Sequence, residues 1–369
     1  MNQKLKYYLL IYFILSGSIH NYIFPVPPDS SRINSPLSIG YRHHYGFIIP
    51  HSQSIQAISH SNPWIAEVDI DRIQLSNKAW DYCFCYPRMG VALGYVNFDN
   101  PDIIGSGIYV VPHVEPFLTY RSKVNLSYRV GLGIVYLSNP YDSIDNPLNY
   151  FYSTHISFAI IVNFAFNIPL SDYTNTRIAI NYNHISNGGI SLPNKGINFP
   201  TMNIGFDYTF HPPELKSLPK TKKELYPKDT RFNVAFIFSG KNAERSETKM
   251  YPLLGTAIDV SQVIARVSAI NIGAEWISDG AIKERLRRDS IDLDHNKIAL
   301  LAGHELLIGK FTFSQQIGLY IYDPHKARNE VYQRYGLYYK ITPHLFTGIN
   351  LKSHLHVADF LDLRIGYTF

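Results

Sequence analysis

Two residues of complementary chemistry stand two apart in the run His184-Ile185-Ser186-Asn187-Gly188-Gly189, and Pro193-Asn194-Lys195-Gly196-Ile197-Asn198 follows closely. On an extended strand such a pair projects from one face, about 7 Å apart at Cα. A histidine so placed can take the proton of a serine hydroxyl. Ester hydrolysis by that serine needs two further things: a group that orients the imidazole, and backbone N–H donors for the oxyanion. Asn198 is the candidate orienting amide. The N–H groups of Asn187 and Gly188 are the candidate oxyanion donors.

Spacing alone is a weak signal, because Thr154-His155-Ile156-Ser157 repeats it. Parity puts His155 and Ser157 with Ala159 and Asn163, on an inward-facing row. Nothing like Asn-Gly-Gly follows, so that copy is expected to be structural. The copy at His184 shares parity with Ile178, Ile180 and Tyr182, while Arg177, Asn181 and Asn183 take the other face. On the returning strand Asn198 has the parity of Met202, Ile204, Phe206 and Tyr208. Three polar side chains are therefore expected on an otherwise apolar wall, where polarity is costly and commonly functional.

The elements that must hold this hairpin are legible in the composition. Of 369 residues only 17% are charged, while 14% are aromatic and 46% hydrophobic. Mean hydropathy is nevertheless close to neutral, and no apolar run after the N-terminus approaches the roughly 20 residues of a membrane helix. Alternating strands reconcile these facts. Ile156, Phe158, Ile160, Val162, Phe164 and Phe166 form one row, with Ser157, Ala159, Asn163, Ala165 and Asn167 opposite. The last strand repeats the pattern with Leu361, Leu363, Ile365, Tyr367 and the terminal Phe369, against Asp362, Arg364 and Thr368. The fold class expected is all-β, a transmembrane antiparallel barrel of roughly sixteen strands. An eight-stranded barrel followed by a second β unit is the alternative.

Residues 1–22 read as a secretory signal peptide: Lys4 and Lys6, then the apolar stretch Tyr7 to Leu15, then Ser16-Gly17-Ser18. Export places the mature chain in the outer membrane of a Gram-negative bacterium, with a terminal aromatic resembling the signal read by the outer-membrane assembly machinery. Residues 23–210 form the half that carries the site, 211–230 a Lys/Pro-rich periplasmic turn or linker, and 231–369 the second half of one barrel. A single large barrel would enclose a lumen. Parity of strands then puts the hairpin after His184 outside the cell, together with the basic segment Ala281–Asn296, whose Lys283, Arg285, Arg287 and Arg288 could meet lipid phosphates. Cys83 and Cys85 lie in a strand-like run and are expected to be small apolar side chains rather than a redox or metal pair. A net charge of +5 with no accompanying motif gives no indication of nucleic-acid binding.

The run His184 to Gly189 with Pro193 to Asn198 resembles the signature of the lipid A 3-O-deacylase family, the acyloxyacyl hydrolases of the outer membrane. Tyr86-Pro87-Arg88-Met89-Gly90-Val91, Tyr128-Arg129-Val130-Gly131-Leu132-Gly133 and Asn146-Pro147-Leu148-Asn149 resemble it too, so the likeness extends from Tyr86 to Phe210. It implies a serine esterase acting on ester-linked acyl chains of lipid A, with Ser186 as nucleophile and His184 as base. Its best-known members carry a glutamate where Asn198 stands. Outer-membrane phospholipase A is similar in the same hairpin and has an asparagine as third residue. That likeness implies a phospholipid substrate, calcium and a homodimer, whereas the deacylase likeness implies no cofactor or metal. A non-catalytic barrel, acting as a pore or a binding protein, is the reading from another class.

Overall fold

The computed structural model describes residues 35–119, 122–213, 229–244, 247, 249–326, 329–355 and 357–369. The expected signal peptide and most of the Lys/Pro segment lie outside them. The described chain is a succession of sixteen strands. They are β1 (Leu37–Gly46), β2 (Trp64–Ile73), β3 (Arg88–Asn97), β4 (Ser106–Glu115), β5 (Asn125–Leu137), β6 (Ile156–Pro169), β7 (Thr174–Ser186) and β8 (Ile197–Thr209). The second series is β9 (Thr230–Asn242), β10 (Met250–Ala265), β11 (Ser268–Asp279), β12 (Asn296–Ile308), β13 (Phe311–Tyr322), β14 (Val331–Lys340), β15 (Leu345–His354) and β16 (Val357–Thr368).

The strand number matches the expectation, but the closure does not produce one large barrel. β1 to β8 close on themselves through β1 and β8, and β9 to β16 close through β9 and β16. Two eight-stranded barrels, the alternative architecture, are what the sequence folds into. The physical reason lies in the inward rows. Eight strands leave an interior just wide enough for side chains to fill, and here they fill it with paired charge. In the first barrel Arg42 contacts Asp69 at 2.8 Å and Asp207 at 2.5 Å, while Arg129 contacts Glu67 at 2.7 Å and Asp69 at 2.9 Å. Arg177 contacts Glu115 at 3.0 Å and Arg88 contacts Asp207 at 3.0 Å. In the second barrel Arg334 bridges Glu275 at 2.9 Å and Asp362 at 2.5 Å, and Arg364 contacts Asp362 at 2.8 Å. These are buried groups, and each carries the partners that make burial of charge tolerable. The open lumen of a sixteen-stranded barrel is not formed.

The outward rows are apolar and exposed. Ile178, Ile180 and Tyr182 on β7, Met202, Ile204 and Phe206 on β8, and Leu363, Ile365 and Tyr367 on β16 all face outward. Such a continuous apolar exterior would be an aggregation liability in water. Around a closed barrel it is the surface that meets hydrocarbon.

Two sequence expectations about the loops are corrected. Cys83 ends a short helix, α1 being Gln53–Gln56 and α2 being Asn77–Cys83. Ser76 caps α2 by accepting from the Ala79 N–H, and Phe84 takes a left-handed φ of 53°. That reversal brings Cys85 back to a Cα–Cα distance of 5.1 Å, and the two cysteines are disulfide-bonded. The expectation of small apolar side chains assumed a strand, in which such neighbours rarely bond; a helix end followed by a left-handed residue removes that obstacle. The basic segment Ala281–Asn296 begins in a third helix, α3 (Gly280–Arg288), not in an open loop. Ala281, Ile282 and Leu286 are buried beneath it. Two of its three arginines are engaged by acids: Arg287 with Glu284 at 2.8 Å, and Arg288 with Glu284 at 3.0 Å, Glu244 at 3.1 Å and also Glu247. Hydrogen bonds from Arg287 and Arg288 hold the Glu284 carboxyl down at about 2. Much of the charge offered to lipid phosphates is therefore already paired.

Candidate active site

β7 and β8 are joined by the loop that carries the expected site, and their register sets its geometry. His184 lies directly opposite Asn198 across the ladder. Outward parity then puts His184, Ser186 and Asn198 on one face, half-buried at the end of the apolar rows, while Ile185, Ile197 and Phe199 point into the barrel. Those inward side chains belong to an apolar plug with Ile55, Phe98, Ile104, Phe151 and Tyr152. Behind the wall Asn183 Nδ2 donates to the Phe199 carbonyl at 2.9 Å, and Asn181 Nδ2 to the Thr201 carbonyl at 3.2 Å. Strands β7 and β8 are thus tied by side chains as well as by the ladder, which fixes the platform under the site.

On that platform His184 Nε2 stands 3.1 Å from Ser186 Oγ, and its Nδ1 stands 2.6 Å from Asn198 Oδ1. Tyr182 donates its hydroxyl to the same Asn198 oxygen at 2.9 Å. An amide oxygen only accepts, so Nδ1 of His184 carries the proton and Nε2 is bare. Nε2 is therefore the acceptor for the Ser186 hydroxyl, the arrangement a nucleophile and its base require. Three of the residues expected from the sequence are brought together.

The two oxyanion candidates differ. The Asn187 N–H donates to Asn194 Oδ1 at 3.1 Å, so it is engaged within the loop. Asn187 instead works through its side chain, which is buried. Oδ1 accepts from the Gly189 N–H at 3.0 Å, and Nδ2 donates to the Ser191 carbonyl at 2.9 Å. The Gly188 N–H has no partner among the described residues and remains the candidate donor. Gly188 has a φ of 68°, and a Cβ there would stand 3.1 Å from Leu361 Cβ on β16 of the second barrel. The loop after β7 is thus packed against the neighbouring barrel at this point, and the larger side chain of any other residue would push it away.

Sequence reasoning missed three contributors. Gly196, with a φ of 73°, lets the backbone pass beside the imidazole: a Cβ there would lie 3.0 Å from His184 Cε1. Asn194 braces the loop through Asn187. His51 contacts Asn198 from the far side, with its Nδ1 3.1 Å from Asn198 Nδ2. The signal for His51 was available in part. It has the outward parity of Ile39, Tyr41 and Tyr45 on β1, but only closure of β1 onto β8 brings it to the site.

The stretches that resembled a family upstream of the hairpin have structural work. Arg88 and Arg129 belong to the buried ion pairs of the lumen. Asn149 Nδ2 donates to the Asn139 carbonyl at 2.6 Å, and the next residues hold the loop, with the Lys195 and Gly196 N–H groups donating to the Tyr150 and Phe151 carbonyls. His155 and Ser157 are not brought together, and His155 is not in the lumen as expected. It precedes β6, is exposed, and donates from Nδ1 to the Leu137 carbonyl rather than bonding to Ser157. Among the described residues no three His, Cys, Asp or Glu side chains converge to hold a metal ion.

Comparison with known proteins gives the chain a context. Residues 76–207 match the family model described as lipid A 3-O-deacylase (PagL), and residues 230–369 match that described as acyloxyacyl hydrolase, C-terminal domain. The first match spans β3 to β8 of the first barrel, and the second spans the whole second barrel. Among solved structures, the crystal structure of the outer membrane enzyme PagL is similar at 11% identity over 45% of this chain and 97% of its own, with a TM-score of 0.33. Neisserial surface protein A is similar at 9% identity over 47% of this chain and 97% of its own, with a TM-score of 0.32. A mutant Rh. blastica porin aligns over 90% of this chain and 100% of its own at 9% identity and a TM-score of 0.19. No curated protein sequence matches the chain.

Proposed function

The chain belongs to the lipid A 3-O-deacylase and acyloxyacyl hydrolase family, matched over both barrels, and we propose from that premise that it is an outer-membrane serine esterase releasing ester-linked acyl chains from lipid A. An outer-membrane location in a Gram-negative bacterium follows from the family and the barrel fold. The observation that carries the mechanism is His184, held between Ser186 Oγ at 3.1 Å and Asn198 Oδ1 at 2.6 Å on the outward wall. A lipid in the outer leaflet reaches this site laterally, without leaving the membrane.

The steps follow from the protonation pattern. Ser186 Oγ bonds to the ester carbonyl carbon while its proton passes to His184 Nε2. Charge develops on the carbonyl oxygen, toward which the Gly188 N–H is available. The bond to the sugar oxygen breaks, and that oxygen takes the proton from Nε2. Water then attacks the acyl-serine by the same route, releasing the fatty acid and restoring Ser186. Asn198 keeps the imidazole in its tautomer through both halves. Being neutral, it stabilises the imidazolium less than a carboxylate would.

Asn198 also favours a second reading, phospholipase A, through its likeness to that enzyme's third residue. The two separate by substrate. Purified protein is incubated with lipid A and with diacyl phospholipid, with and without chelator, and released acids are identified by mass spectrometry. Acid from lipid A that is insensitive to chelator and lost in Ser186→Ala supports deacylation. Chelator-sensitive cleavage of phospholipid supports the second reading, and equal release by wild type and Ser186→Ala sinks both.

A further inference from the structure

We infer that His51 is a positioning residue of this site, setting which way the Asn198 amide points and hence which nitrogen of His184 is bare; the inference rests on the esterase reading above. Residues 47–51 extend β1 along β8, with the Ile49 N–H donating to the Asn198 carbonyl at 2.8 Å. This puts His51 beside Asn198 on the outer face. His51 Nε2 stands 2.8 Å from the Lys195 carbonyl. A carbonyl accepts only, so Nε2 carries a proton. In the neutral ring Nδ1 is then an acceptor, and the Asn198 atom facing it at 3.1 Å is Nδ2; Nδ1 also stands 3.2 Å from the Ile49 carbonyl, which bonds to it only when the ring is doubly protonated. With Nδ2 committed to His51, Oδ1 must face Tyr182 and His184. The result is one direction of donation: Ser186 to His184, His184 to Asn198, Asn198 to His51, His51 to the Lys195 carbonyl.

An amide differs from a carboxylate in this respect. Either oxygen of an acid accepts, so an acidic residue at this place needs no further orientation. An amide turned over would present Nδ2 to His184 Nδ1, which would then be bare, with the proton on Nε2 and no acceptor for Ser186. His51 is the group that forbids this state. A protonated His51 would donate from Nδ1 and favour the turned amide. The titratable groups around it are His184, one amide away, and Lys195, whose carbonyl it holds.

The test compares His51→Ala and His51→Gln in full-length protein that retains barrel strand content. Glutamine can accept at Oε1 from Asn198 and donate from Nε2 to Lys195. His51→Ala is expected to lower kcat about tenfold to a hundredfold, the range for removing an outer group that orients a histidine, with KM within about twofold. His51→Gln is expected to restore most of it. In Asn198→Asp protein the further change His51→Ala should cost less than about twofold, a coupling that two independent residues would not give. Nitrogen NMR of the His184 ring supplies a readout independent of turnover: Nδ1-protonated in wild type and His51→Gln, mixed in His51→Ala. Equal activity and one tautomer in all three proteins would overturn the inference. Absence of any Ser186-dependent hydrolysis in wild type would instead overturn the esterase reading, leaving the tautomer measurement to decide on His51.

Discussion

Two copies of His-Ile-Ser occur in the first barrel, and they behave oppositely. At 155–157 the histidine precedes β6, stacks on Tyr136 with ring centroids 5.5 Å apart, and bonds to the Leu137 carbonyl at 2.8 Å. Ser157 is buried, with its hydroxyl 3.2 Å from Thr154 Oγ1. At 184–186 both residues lie within β7, on the outward face, and the cross-strand neighbour of the histidine is an amide. The same three residues thus make either a strand entry or the hydrogen-bonded line proposed here as a proton relay. What separates them is position along the strand, the face the strand presents, and the partner opposite.

The sharpest way to break this comparison is to remove the hydroxyls. Ser186→Ala is expected to lower ester hydrolysis at least about a thousandfold, as loss of a nucleophile does, whereas Ser157→Ala should stay within about twofold; release of fatty acid from lipid A measures both. Next in size is Asn198→Ala, which leaves the His184 Nδ1–H without its acceptor. A fall in kcat of about a hundredfold or more is expected, the direction seen when a triad loses its orienting group, and Asn198→Asp should recover activity. Wild-type kcat in the alanine variant would show that the imidazole needs no orientation here. Gly196→Ala tests the close approach of the loop. With a positive φ and a contact of 3.0 Å to the imidazole, it should cost about tenfold in kcat, since a misplacement of the base by even about 1 Å is expensive. The smallest effect is expected from Asn194→Ala. It frees the Asn187 N–H at the cost of one loop hydrogen bond, so a change of only a few-fold is expected; a larger loss would make the loop brace part of the oxyanion site.

Much of the fold was legible because side-chain alternation is a local property. The rows at Ile156–Phe166 and Leu361–Phe369 each needed only one strand to be read, and the strand number came out at the sixteen seen. Closure was not legible. Whether β8 returns to β1 or passes on to β9 depends on pairings such as His43 with Ile204, set by contacts far apart in sequence. The inward residues did not decide it, since Arg42, Arg129 and Arg177 suit a narrow interior of paired charge and a wide water-filled one alike. The site shows the same division. His184, Ser186 and Asn198 lie on adjacent strands of one hairpin and could be placed by parity, while His51 enters only through closure. The cysteines were misread because Phe84 turns left-handed after α2, which no alternation pattern reveals. The charge of α3 was misread because Glu244 and Glu247 reach it from another loop.

The central claim is that Ser186 on the lipid-facing wall is the nucleophile. Its most direct test is covalent: purified protein is treated with a long-chain fluorophosphonate, digested, and the modified peptide identified by mass spectrometry. The account predicts a single adduct on Ser186, abolished in His184→Ala and unaffected by His155→Ala. An adduct on another serine, or undiminished lipid A hydrolysis by protein fully modified at Ser186, would contradict it.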